Sequence, residues 1–129
     1  MFTKEERSGF KYWFAHWCAF QMTALNLKCW KFKYLLHDIE KPWLKLIWKN
    51  YNKVQRWHRS HNPHHLEYYF ENKNADWEAM VIDWECSRFT KESAQLTARE
   101  EMQRKINKYP ELEKILTTHL LPILNKLGI

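Results

Sequence analysis

Apolar residues recur along the chain three and four positions apart, a spacing that predicts a succession of amphipathic helices. Phe10, Trp13, Phe14, Trp17 and Phe20 fall on one wide face of a first helix over about residues 9–25. A second, over about 28–37, turns Trp30, Tyr34 and Leu35 inward. Pro42 disfavours helical backbone at Lys41, so a turn should follow His37-Asp38. A third helix starts near Pro42, uses Leu44, Ile47, Trp48, Tyr51 and Val54 as its core stripe, and ends at about 58–61 before Asn62-Pro63.

Asn62 can cap a short fourth helix with Pro63 in its first position, which puts His64, His65 and Glu67 in the opening turn and ends near 71. Residues 72–74 read as a loop, and a fifth helix carries Trp77, Met80, Val81, Asp83 and Trp84. A charged, weakly amphipathic helix is expected over 90–108. Pro110 opens the last one, with Leu112, Ile115, Leu116, Leu120, Ile123 and Leu124 facing inward. No repeat, low-complexity tract or long linker divides the chain. The pattern predicts one all-α domain over 1–129, a single compact helical bundle.

Composition agrees with this. A chain of 129 residues with 45% apolar and 16% aromatic side chains has enough to bury a core, which excludes disorder. Two glycines and four prolines are few turn signals for a sheet protein. No stretch reaches the roughly 20 apolar residues of a membrane span, and residues 2–10 are too charged for a signal-peptide core. A soluble cytoplasmic protein without membrane contact is expected. Cys18, Cys29 and Cys86 are odd in number and form no Cys-x-x-Cys pair, which suits reduced thiols. The net charge of +6 favours anionic partners: nucleotides, phosphorylated metabolites or nucleic acid. Lysines and arginines interleaved with aromatics over 28–59 would also suit a basic helical nucleic-acid-binding protein, although a solvated helix face has the same appearance.

The candidate chemistry lies in the histidines. Six of the seven fall between residues 16 and 65, and one is followed directly by an aspartate. Imidazole and carboxylate are ligands of borderline divalent ions such as Mn, Fe, Co, Ni or Zn, and several helices of a bundle can converge on one ion. The order is His16, His37-Asp38, His58, His64-His65, Asp83. Asp83, between Ile82 and Trp84, should face inward, where a carboxylate needs a partner. Adjacent helical residues such as His64 and His65 point about 100° apart and seldom reach the same ion. His61 could as easily lie on the surface, and His119 reads as structural.

The segment Leu35-Leu36-His37-Asp38-Ile39-Glu40-Lys41 resembles the HD-x-x-K signature of the HD-domain metal-dependent phosphohydrolases. His61-Asn62-Pro63-His64-His65-Leu66-Glu67-Tyr68, followed later by Asp83-Trp84, is similar to a motif of a small HD-like family found in phages and bacteria. The likeness covers about residues 10–90, with helices over 91–127 outside it. It implies an HD-like fold in a bacterial or phage-infected cell. His16, His37, Asp38 and Asp83 would bind one divalent ion, with His58, His64 and His65 serving a second ion or the substrate phosphate. The glycine usual before the lysine is Glu40 here.

The implied reaction is hydrolysis of a nucleotide or related small phosphate ester by metal-activated water. Asp38 would position the water. Lys41 would contact the phosphate, with Arg56, Arg59, His61, His64 and His65 as further substrate contacts. Trp57, Tyr68 or Tyr69 could stack on a base. The competing expectation is a metal that only holds the bundle together, with no turnover.

Overall fold

The computed structural model describes residues 1–92 and 95–129. Among these the chain is all-α, with helices α1 (Phe10–Asn26), α2 (Glu40–Trp48), α3 (Tyr51–His61), α4 (Leu66–Asn72), α5 (Trp77–Ser87), α6 (Ala98–Lys108), α7 (Glu113–His119) and α8 (Leu121–Leu127). No helix is long and apolar enough to cross a membrane.

Helix α5 is the axis of the molecule, because it buries side chains in two directions. Ala79, Ile82 and Cys86 pack with Phe20 and Ala24 of α1 and with Tyr34. Met80 and Val81 pack with Leu66 of α4 and with the leucine stripe of the C-terminal helices. Asp76 caps α5, accepting from the Ala79 N–H at 3.1 Å. Thr97 and Glu100 form a capping box at the start of α6, so that helix begins at Ala98 rather than near 90. Residues 93 and 94 of the expected 90–108 helix lie outside the described residues.

The remaining departures from the sequence pattern have local causes. On α1 the buried face holds Tyr12, His16, Phe20 and Ala24, while Phe10 and Phe14 are 66% and 51% exposed. The helix is rotated so that a histidine faces the core. Trp13 and Trp17 stay at the edge, where their indole N–H groups donate to the carbonyls of Asp38 and Leu35. Helix α1 ends in a Schellman motif: Lys28 is left-handed, Cys29 N–H donates to the Ala24 carbonyl and Lys28 N–H to that of Leu25. The expected helix over 28–37 therefore shrinks to a 3-10 turn, Phe32–Leu36, which buries Tyr34 and leaves Leu35 exposed.

Pro42 sits in the first turn of α2, where its missing N–H costs no helical bond, so Lys41 is helical after all. The single helix expected over about 42–61 is broken at Lys49, which is left-handed, because Asn50 caps α3 and accepts from Lys53 N–H. As a result α2 buries none of its residues, and Ile47 is 71% exposed. Pro122 divides the last helix into α7 and α8, yet Leu112, Leu116, Leu120 and Leu124 keep one buried stripe.

Candidate metal centre

His16, His37, Asp38 and Asp83 come together in space. His16 projects from the middle of α1 and Asp83 from α5, the two helices that the Phe20–Ile82 core holds side by side. His37 and Asp38 occupy the turn before α2. Asp38 has φ 56°, a left-handed conformation that aspartate tolerates. The turn is pinned by Trp13, whose indole donates to the Asp38 carbonyl at 2.7 Å, and by Phe20, which stacks on the His37 ring at 3.7 Å between centroids.

Nε2 of His16 lies 2.9 Å from Asp83 Oδ1 and 3.2 Å from Nε2 of His37. Asp83 Oδ1 is 3.2 Å from Nε2 of His37, and Asp38 Oδ2 is 3.4 Å from it and 3.7 Å from His16 Nε2. Ligands about 2.1 Å from a shared ion stand about 3.0–3.4 Å apart along an octahedral or tetrahedral edge. Four of the five separations are close to that size, and the fifth, between Asp38 Oδ2 and His16 Nε2, is 0.3 Å longer than its upper end.

Asp38 also faces a second group. Its Oδ1 is 2.9 Å from His58 Nε2 and 3.1 Å from His64 Nε2. Asp38, His58, His64 and His65 each offer an atom within 4.8 Å of the others, as do His16, His37, Asp38 and Asp83. Asp38 thus turns one oxygen to each group. Both members of the His64-His65 pair reach the site because neither is helical: α4 starts only at Leu66, with His65 as its N-cap. The Asn62-Pro63 start expected for that helix does not form. Asn62 instead ends α3, where its side-chain amide donates to the Glu40 carboxylate and to the His58 carbonyl.

The donor set passes a chemical test for a cation. Asp38 Oδ1 and the Nε2 atoms of His58, His64 and His65 are buried without a well-aligned hydrogen bond, although His58 and His64 lie within 3.1 Å of that oxygen. Buried polar atoms are normally paired, and one cation at their common focus would satisfy all four. Charge points the same way. Burial alone would raise the Asp38 and Asp83 carboxyls, but His37, Lys41 and His58 around Asp38, and His16 and His37 around Asp83, hold both well below the usual carboxylate range. Burial pushes His37 down to about 4, and burial with the neighbouring His64 pushes His65 down. Anionic carboxylates beside neutral His37 and His65 suit a metal, whereas Asp38 and Glu40 raise His58, which would have to give up its proton to ligate.

The chain matches no family model, no curated protein and no solved structure. The reading of the site therefore stands on its geometry.

Glu40, at the position where the HD-x-x-K signature usually has glycine, has a visible place. Its Oε1 accepts from Nδ1 of His58 and, at 2.9 Å, from the Asn62 amide. That leaves His58 Nε2 directed at Asp38. Lys41 Nζ lies 3.4 Å from Asp38 Oδ2 and is held charged: burial opposes its charge, but Asp38, Tyr51 and Asp83 outweigh it.

His16, Asp38, His65 and Asp83 form one wall of an open cavity of about 280 Å³, while His37, His58 and His64, the last expected to touch substrate, do not line it. Lys4, Arg7, Lys41, Arg59 and Lys91 line it as well. Of these five cations sequence reasoning found Lys41 and Arg59. Lys4, Arg7 and Lys91 belong to no motif; residue 2 pairs with residue 91, which ties the N-terminal segment to the chain just after α5. Other expected contacts do not reach the cavity. Arg56 is exposed on α3 and does not line it. His61 is exposed, stacked on Trp57 and hydrogen-bonded through Nδ1 to the Trp57 carbonyl. Tyr69 packs on Trp77, and His119 stacks on the same indole at 4.6 Å, a structural role. Tyr68 and Trp57 do not line the cavity either.

Proposed function

We propose that this protein is a metal-dependent phosphohydrolase of the HD type, acting on a nucleotide or another small phosphate ester. One observation carries the reading: two groups of imidazole and carboxylate ligands share Asp38 and open onto a cation-lined cavity. A divalent ion or ion pair held there would activate water and offset the charge that builds on a phosphoryl group.

The chain's own residues divide the remaining work. Lys41, Arg59 and Lys91 attract and orient the phosphate, since they face the cavity from three different elements. Asp38, held by its left-handed backbone turn and its contact with Lys41, would orient the attacking water. His16, His37 and Asp83 make up the ligand group between α1 and α5, and His58, His64 and His65 the one nearer α3 and α4.

The test is phosphate release over a panel of nucleotides and small phosphomonoesters, with and without chelator. Turnover that chelator abolishes, that Mn restores, and that His37→Ala and Asp38→Ala lack is the expected result. Full turnover in both variants would end the reading.

A further inference from the structure

A second hollow, of about 190 Å³, adjoins the cation-lined cavity, and both are walled by Arg7, Tyr12, His16, Asp38, Lys41 and Tyr51. Beyond that shared wall the lining changes character. Phe10 and Trp13 come from α1, Pro42 from α2 and Val54 from α3. The Trp13 indole N–H is already engaged by the Asp38 carbonyl, and Lys45 donates to the Ser8 carbonyl at 2.6 Å along the hollow's edge. At about 190 Å³ the hollow is smaller than drug-sized sites of about 300–1,000 Å³ and suits a single ring. Its walls offer ring faces and aliphatic surface and few free polar atoms.

We infer that this hollow receives the organic part of the substrate, a flat aromatic or otherwise apolar group esterified to the phosphate that the metal centre holds. The inference rests on the phosphohydrolase reading and names its substrate class. Asp38 and Lys41 line both spaces, so a phosphate beside them presents its ester substituent at the apolar mouth. Recognition is then by ring face and buried apolar area rather than by hydrogen bonds to the edge of a base. Selection among aromatic substituents of similar area is correspondingly weak.

Methylphosphonate and phenylphosphonate share one headgroup and differ in the apolar group alone. Calorimetric titration of the Mn-loaded protein should give phenylphosphonate an affinity at least about tenfold above methylphosphonate, as burial of a phenyl ring implies. Phe10 is 66% exposed, so Phe10→Ala should fold, and it should narrow that ratio at least about threefold. Equal affinities, or a ratio unchanged in Phe10→Ala, would overturn the assignment while leaving the phosphate site intact. If neither phosphonate binds, the phosphohydrolase reading fails and this inference falls with it.

Discussion

Glu40 accepts a hydrogen bond from Nδ1 of His58, and the same carboxylate oxygen is held by the amide of Asn62. Burial would raise the Glu40 carboxyl, but the His58 contacts hold it below its usual value, while Asp38 and Glu40 together outweigh burial and raise His58. A carboxylate behind a ligating imidazole fixes its tautomer and ring orientation. Glu40→Ala is therefore expected to weaken binding of one metal ion about 10–100-fold, with the ion beside His16 and Asp83 less affected. Calorimetric titration with Mn measures this, and two unchanged binding steps would count against the relay.

Lys91 is predicted to act on substrate and not on metal. It is no ligand, it faces the cavity, and burial lowers its pKa despite the opposing pull of Asp83. Lys91→Ala should lower kcat/KM about 10–100-fold, the worth of a charged hydrogen bond, at unchanged metal content. Steady-state kinetics alongside elemental analysis separate the two effects.

The metal-free protein should lose stability on mild acidification. His37, at about 4, and His65 have folded pKa values below the ordinary imidazole value of 6.5, so as pH falls below 6.5 the unfolded chain binds protons that the folded chain excludes. Their contribution is complete above 6.5 and is lost as pH falls. His58, raised, works in the opposite sense and offsets part of the loss. Asp38 and Asp83, lowered, add a further loss below about 3.8. Thermal melts in chelator should give a lower Tm at pH 5 than at pH 7, and a Tm that is flat or rises on acidification would contradict the assigned states.

Two substitutions test the border between site and scaffold. His61→Ala removes a surface stack worth about 0.5–1.5 kcal/mol and should leave metal content and turnover within about twofold. Leu116→Ala opens the C-terminal core and should cost about 2–5 kcal/mol in chemical denaturation without changing metal stoichiometry.

Much of the helical order was legible because leucine and isoleucine stripes fall at helical spacing, as at Leu112, Leu116, Leu120 and Leu124. The ligands were legible for a different reason: His16, His37, Asp38 and Asp83 are residue types that apolar surroundings tolerate only with partners. Tertiary contacts hid the rest. The aromatic face of α1 pointed to Phe10 and Phe14, but packing of α1 on α5 buries Tyr12 and His16 instead. No spacing rule links Lys4 or Lys91 to a site built on residue 38. Glu40 departs from the motif, and its role lies in tertiary contacts, since His58 and Asn62 meet on one of its oxygens.

The central claim is that Asp38 serves two metal groups at once, one through each oxygen. Equilibrium dialysis against Mn, followed by elemental analysis of wild type, His16→Ala and Asp38→Ala, tests it most directly. Wild type should hold two ions per chain, His16→Ala should weaken one of them, and Asp38→Ala should lose both. An Asp38→Ala protein that folds and retains wild-type metal content would contradict the account.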